Sequence, residues 1–96
     1  MDIERPLQNK REAILRIAES HGARNVRVFG SAVRGEATEA SDLDLLVEME
    51  PGRSLLDLVG LNQDLEDLLG HRVDVITDGG VSPYLRKRIH AEAVPL

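Results

Sequence analysis

The run DLDLLVE at residues 42–48 contains a closely spaced pair of acidic side chains. Asp42 and Asp44 lie in a segment otherwise rich in Leu and Val, which predicts a β-strand with one well-buried face. Side chains two residues apart in a strand share a face, so the two Cα atoms would be about 6 to 7 Å apart. Like charges this close raise each other's pKa unless a cation lies between them. The pair therefore indicates a cation site.

A third acidic residue, Asp74, occupies a similar position in the run RVDVIT, between Val73 and Val75. An isolated charge in such a strand is costly. One explanation is that Asp74 converges with Asp42 and Asp44 from a neighbouring strand. The other is structural: a turn residue at 42, a solvated edge at 44, and an ion pair between Asp74 and a surface cation such as Arg72.

Convergence of the three carboxylates would suit divalent cations, because Mg²⁺ and Mn²⁺ prefer hard oxygen ligands. Two such ions roughly 3.5 to 4 Å apart can stabilise both the attacking and the leaving oxygen of a phosphoryl or nucleotidyl transfer. The predicted metal ligands are therefore Asp42, Asp44 and Asp74, with two Mg²⁺ ions as cofactors and Mn²⁺ as a substitute.

Gly30 and Ser31 lie where a short β-rich run ends. Glycine allows a ligand to approach the backbone, N–H groups at the start of a helix favour an anion, and a serine hydroxyl adds a donor. A Gly-Ser pair alone is most often an ordinary turn. Its informative feature is the spacing, since ten residues separate it from the Asp42-Leu43-Asp44 triplet. This spacing favours a phosphate-binding turn beside the carboxylates.

Length and composition limit what the chain can be. Its 96 residues predict one domain, residues 1–96, and the net charge of −5 disfavours nucleic acid as the main partner or direct substrate. The absence of cysteine excludes disulfides and thiolate chemistry, and the only aromatic residues are Phe29 and Tyr84, too few for a base-stacking surface. The sequence shows neither a membrane span nor an apolar leader, so we expect no membrane partner and a cytoplasmic location.

Periodicity predicts the elements that must position these residues. Helices are predicted over residues 7–21, from Ser54 to Gly70, and from the Ser82-Pro83 pair onward, with strands over residues 25–30, 42–48 and 72–77. The second helix carries a leucine stripe, and the last places Leu85 and Ile89 inward. The stripe consists of Leu55, Leu58, Leu61, Leu65 and Leu68. The order of elements predicts an α/β (α+β) fold, a small mixed sheet of three or more strands with helices packed on it.

The stretch VRVFGSAVRGEATEASDLDLLVE resembles the DNA polymerase β-like nucleotidyltransferases, and specifically their minimal nucleotidyltransferase branch. The resemblance spans nearly the whole chain and implies the polymerase β-like nucleotidyltransferase fold. It also implies that Ser31 and the backbone at Gly30 hold the terminal phosphates of ATP, while Asp42 and Asp44 bind both metals. Asp74 would complete one metal site and help to activate the acceptor hydroxyl. The implied reaction is transfer of AMP from ATP with release of pyrophosphate.

The acceptor is the least defined part of this expectation. The resemblance to antitoxins of HEPN toxin–antitoxin pairs implies a protein adenylyltransferase that modifies a tyrosine of a HEPN-domain toxin. Two alternatives stay open: an antitoxin that neutralises its partner by binding alone, and transfer to a small-molecule hydroxyl. The resemblance leaves the number of nucleotides transferred, the base preference and the oligomeric state undefined.

Further charged residues have two interpretations each. Arg34, in the segment GSAVRGE, is a phosphate contact or a helix-surface arginine. Glu36 and Glu39 fit a solvated polar loop better than a site. The basic run at residues 86–88 forms a solvated helix face or contacts nucleotide or a partner.

Overall fold

The computed structural model describes residues 9–34, 42–80 and 83–96, with the side chain of Arg34 outside the described part. The helices are α1 (Arg11–Ser20), the single turn α2 (Ser31–Arg34), α3 (Leu55–Leu69) and α4 (Pro83–Glu92). The strands are β1 (Ala23–Phe29), β2 (Leu43–Met49), β3 (Val73–Thr77) and β4 (Val94–Pro95), and a 3₁₀ turn covers Asp78–Gly80.

The four strands form one mixed sheet in the order β3-β2-β1-β4. β2 runs antiparallel to β1 and parallel to β3, and β1 also pairs antiparallel with β4. The parallel pair is joined through α3, as a parallel connection requires a crossover segment. The predicted mixed sheet covered by helices is thereby confirmed.

The two faces of the sheet are covered unequally. α1 and α3 pack Ile14, Leu61 and Leu65 onto one face, against alternate residues of β2. On the opposite face a smaller cluster joins Phe29 and Leu46 to Ile76, Ile89 and Ala93, so α4 covers part of that face. Alternation along β2 therefore buries Leu43, Leu45 and Val47 under α1 and α3, and directs the residues between them to the other side.

The boundaries differ from the sequence predictions in identifiable ways. The described part of the first helix begins at Arg11, and the predicted start at Leu7 lies outside the described residues. The leucine stripe of α3 is shorter than predicted, because Leu55 is 73% exposed while Leu61 and Leu65 are buried. Leu85 is about half exposed, so Ile89 alone of the two predicted apolar positions of α4 packs on the sheet. The sequence analysis missed β4 entirely.

Candidate active site

The face of the sheet opposite α1 and α3 carries the acidic residues singled out by the sequence. Asp44 is the register partner of Phe29 in β1 and of Asp74 in β3. Partners in adjacent strands point to the same face, with backbones about 4.8 Å apart. Asp42 immediately precedes β2, and its ion pair with Arg72, two residues before Asp74, is consistent with the same direction. All three carboxylates therefore lie on one face of the sheet, at the end where β2 and β3 begin.

Gly30 closes the site on the β1 side. It follows the last residue of β1, is buried, and has φ +80°, a conformation that side chains with a Cβ rarely adopt. A Cβ at this position would collide with Oδ2 of Asp44 and lie 3.2 Å from its Cγ. Glycine is thus required twice, for the backbone angle and for the approach of the Asp44 carboxylate.

The turn after Gly30 brings Ser31 into the same region. The N–H of Val33 donates to the carbonyl of Gly30 at 3.1 Å and closes the turn of α2. Ser31 is the first residue of α2 and is partly exposed. Arg34 is the last residue of the same turn, and its predicted phosphate contact lies outside the described residues.

The three carboxylates differ in their surroundings. Asp42 is 42% exposed, and its Oδ1 lies 3.5 Å from Nε of Arg72, which is itself largely exposed. Such an ion pair contributes little to stability because water screens it. The structural alternative expected Arg72 to pair with Asp74. In the structure, Arg72 instead forms this weak ion pair with Asp42. Asp74 is exposed, whereas Asp44 is partly buried beside Gly30.

The carboxylates share a face but do not meet at one point. Within residues 9–34, 42–80 and 83–96, no three His, Cys, Asp or Glu side chains converge as a ready-made metal cluster. Like charges repel in such an arrangement, and two of these carboxylates are directly opposite each other across β2 and β3.

The donor set nevertheless fits a hard divalent cation. It consists of three carboxylates on adjacent segments, with Asp42 and Asp74 free of tight packing and able to rotate towards an ion. The strand register, rather than the present side-chain positions, makes convergence possible. A cation between them would offset the repulsion that the register imposes.

A polar cluster on the same face was missed by the sequence analysis. Arg27 of β1 donates through Nη2 to Oδ2 of Asp78 at 3.0 Å, and Nε2 of His90 lies 2.7 Å from Oδ1 of the same carboxylate. The cluster ties β1 and the 3₁₀ turn to α4. No local sequence pattern predicts this cluster, because Asp78 and His90 lie 51 and 63 residues after Arg27 in the chain. Asp78 follows the last residue of β3, so the cluster holds α4 on the sheet away from the end where Asp44 and Asp74 lie.

The sequence of the chain is similar to those of known proteins. Residues 10–96 match the family model described as a nucleotidyltransferase domain. A protein of Methanocaldococcus jannaschii assigned as a protein adenylyltransferase is 48% identical over 81 residues, covering 84% of this chain and 87% of that protein. The protein adenylyltransferase MntA of Thermococcus cleftensis is 44% identical over 78 residues, covering 81% of this chain and 79% of its own length.

Solved structures agree with this similarity. One assigned as a minimal nucleotidyltransferase has a TM-score of 0.89 at 54% sequence identity, and the match covers 100% of this chain and 97% of that one. A chain from the crystal structure of a toxin–antitoxin with AMP-PNP has a TM-score of 0.75 at 20% identity, covering 88% of this chain and 69% of its own. At this low identity, the match to the toxin–antitoxin chain shows a shared fold only.

Proposed function

Because this chain belongs to the nucleotidyltransferase domain family, and within it to the minimal nucleotidyltransferases, we propose that it transfers AMP from ATP to a hydroxyl group of a partner protein. The observation that carries the proposal is the position of Asp44. It is paired in register with Asp74 and lies against Gly30, so the acidic face adjoins the turn proposed to bind phosphate.

The nucleotide would lie over this turn. The Asp44 carboxylate packs against Gly30, and the backbone at Gly30 and the hydroxyl of Ser31 are the proposed phosphate contacts. These groups suit the β- and γ-phosphates of ATP, with Arg34 as a further predicted phosphate contact. The α-phosphorus would then face the carboxylates, as transfer of AMP requires.

The carboxylates would hold the divalent cations. Asp42 and Asp44 are proposed as ligands of both ions and Asp74 as a ligand of one, with Mg²⁺ as the cofactor and Mn²⁺ able to replace it. When bound, the ions supply neutralisation of the charge that develops on the phosphate oxygens. The protein's own contribution is mainly positioning, which phosphoryl-type transfers need more than covalent help.

The proposed reaction exchanges one bond at the α-phosphorus of ATP for another. The acceptor oxygen forms a bond to the α-phosphorus of ATP, the bond from that phosphorus to the bridging oxygen of the β-phosphate breaks, and pyrophosphate leaves. Asp74 is proposed to accept the proton of the acceptor hydroxyl, because its carboxylate is exposed whereas that of Asp44 is partly buried.

The partner is proposed from the relatives. Proteins at 48% and 44% identity are assigned or named as protein adenylyltransferases, which favours a protein acceptor over a small molecule. The fold is shared with a chain from a toxin–antitoxin structure with AMP-PNP. Together with the resemblance of the sequence to antitoxins of HEPN toxin–antitoxin pairs, these relatives support our inference that the chain acts as an antitoxin, with a tyrosine of a HEPN-domain toxin as the proposed acceptor.

A labelling experiment tests the proposal. The chain is incubated with α-labelled ATP, Mg²⁺ and the protein encoded beside it. Label on the neighbouring protein, located to a tyrosine by mass spectrometry, is the expected result. A tight complex without label would replace the proposal with neutralisation by binding, and label on an added small-molecule hydroxyl alone would replace the acceptor class.

Variants of β2 make the assignment specific. Asp44→Asn and Asp42→Asn should each abolish transfer while the fold survives, because the change removes a proposed ligand and also relieves repulsion. Glu48→Gln is the matched control, since it removes a carboxylate from the same strand and the same face near its opposite end. Transfer retained in Asp44→Asn would contradict the proposed site. Transfer lost in Glu48→Gln would show that the loss of any negative charge from this face of β2 abolishes the activity, and not the loss of a metal ligand.

A further inference from the structure

The outer edge of β3 is bonded by side chains of α3. β3 ends the strand order, with β2 on one side. The N–H of Val75 donates to Oδ1 of Asn62 at 3.0 Å, and the N–H of Val73 donates to Oε2 of Glu66 at 3.0 Å. Two outward N–H groups of an edge strand are therefore satisfied by a helix rather than by water or another strand.

The two bonds form together because the spacings match. Asn62 and Glu66 are one helical turn apart, a rise of about 6 Å. Val73 and Val75 are two strand residues apart, a rise of about 6.7 Å. Because the pairs are crossed in sequence order, 62 with 75 and 66 with 73, α3 and β3 run antiparallel. α3 therefore holds β3 at two points of a single register.

Asp74 lies between these two points. Its neighbours Val73 and Val75 direct their N–H groups outward, so its own backbone groups face β2. The carbonyl of Arg72, on the same side of the backbone, accepts the N–H of Leu43 in β2 at 2.9 Å. A slip of β3 by one residue would move the Asp74 carboxylate to the opposite face.

The β2–β3 ladder and the burial of Val73 and Val75 prevent a slip of one residue. Apolar packing alone resists small shifts along the strand axis less, because the hydrophobic effect is not directional. Hydrogen bonds are directional, and their strength falls steeply when the geometry changes. The contacts from Asn62 and Glu66 therefore restrain the position of β3 along its own axis.

We propose that Asn62 and Glu66 are positioning residues for the transfer reaction, holding β3 so that the Asp74 carboxylate stays beside Asp44. This inference rests on the proposed function, in which the two carboxylates bind a shared cation. Both residues act through Asp74, and neither touches substrate. Groups that orient a metal ligand typically change metal affinity or activity by about 10- to 100-fold when they are lost.

The test compares two changes at one position. Glu66→Met removes the acceptor oxygen and keeps the length of the side chain, whereas Glu66→Gln keeps an oxygen that can accept the Val73 N–H. In Glu66→Met we expect faster hydrogen exchange at Val73, Mn²⁺ affinity lower by about tenfold, and a similar fall in transfer rate. In Glu66→Gln the exchange rate at Val73, the Mn²⁺ affinity and the transfer rate should all stay near their wild-type values. Asn62→Leu should repeat the effect, with faster exchange at Val75.

These measurements distinguish a positioning role of Glu66 from a purely structural one. A lower Tm with unchanged Mn²⁺ affinity and transfer in Glu66→Met would reduce the contact to a structural one and overturn the inference. If Glu66→Met does not fold, Asn62→Leu and exchange in the wild-type chain decide, because an unprotected Val73 amide in the wild type also overturns it. Failure of the wild type to bind Mn²⁺ or to transfer AMP would instead overturn the proposed function itself.

Discussion

At the scale of single residues, Gly30 offers a sharp separation between folding and function. Gly30→Ala places a Cβ against Oδ2 of Asp44 and also forces alanine into a backbone with φ +80°. The backbone term alone costs about 1–2 kcal/mol. We expect the variant to lose more stability than this and to lose AMP transfer, because the Asp44 carboxylate must move. Thermal unfolding and the transfer assay measure the two effects.

Gly70→Ala is the matched control for that change. Gly70 ends α3 with φ +62°, and an added Cβ would meet no atom within 4 Å apart from those of its neighbours in the chain. The control therefore carries the backbone cost of about 1–2 kcal/mol without a clash, and it should retain transfer. If Gly30→Ala and Gly70→Ala have equal stability and equal transfer rates, the close contact between Asp44 and Gly30 is not needed for the activity.

Single residues also show what the sequence could and could not predict. The period of a strand predicts the common face of Asp42 and Asp44, although β2 begins one residue after Asp42. The pairing of Asp44 with Asp74 depends on the register between β2 and β3, which spacing within one strand does not specify. The roles of Asn62 and Glu66 were not predicted, because they depend on where α3 docks.

At the scale of elements, α3 provides a direct comparison between buried and exposed leucines. Leu61 is fully buried against the sheet, and Leu56 on the same helix is 80% exposed. Leu61→Ala should destabilise the fold by about 2–5 kcal/mol, since it removes apolar contacts and leaves a cavity. Leu56→Ala should change stability by less than about 0.5 kcal/mol. Urea unfolding checks both, and similar losses would contradict the observed packing of α3.

The start of α3 adds a pH-dependent contribution. The backbone N–H of Ser54 donates to Oδ2 of Asp57 at 2.9 Å, and this bond, aided by Arg53, lowers the pKa of Asp57 below its ordinary value of 3.8. A lowered pKa stabilises the fold above the unfolded value and loses that effect as the pH falls through the folded value. Asp57→Ala should therefore lower the Tm at neutral pH, and the difference from wild type should begin to shrink near pH 3.8 and disappear only below the folded-state pKa.

Asp67→Ala is the control for this prediction. Asp67 lies in the last turn of the same helix, where a negative charge interacts unfavourably with the helix dipole. Its removal should leave the Tm unchanged or raise it at neutral pH. A Tm loss in Asp57→Ala that persists unchanged at pH 3 would contradict a role for the ionised carboxylate at the start of α3.

The elements themselves were predictable to different degrees. The strong hydrophobic period and the Ser54 to Asp57 spacing indicated α3, and its C-terminal Gly70 has the left-handed conformation typical of helix ends. β4 was missed because two residues, Val94 and Pro95, are too short for any periodic signal. Leu55 was assigned to the apolar stripe by spacing alone, although the helix extends beyond the surface it packs on.

At the scale of the whole molecule, the sheet brings together chemistry from distant parts of the chain. The mixed topology follows from a hydrophobic pattern of strands and helices, and the crossover through α3 makes β2 and β3 parallel. Parallel neighbours begin at the same end of the sheet, which places Asp44 and Asp74 together. None of the helices in the described ranges is both long and apolar enough to span a bilayer.

Ligand-linked stability tests whether this assembly binds its substrate as a unit. A ligand that binds only the folded state at one hundred times its Kd stabilises it by about 2.7 kcal/mol. For a chain of this size that corresponds to a Tm increase on the order of 10 °C. We expect Mg²⁺ and ATP together to produce this shift in the wild type and in Glu48→Gln, with smaller shifts for either alone. In Asp44→Asn a hundredfold weaker site would leave only about 0.4 kcal/mol at the same concentration. An undiminished shift in that variant would remove Asp44 from the proposed ligands, because mass action depends only on affinity for the folded state.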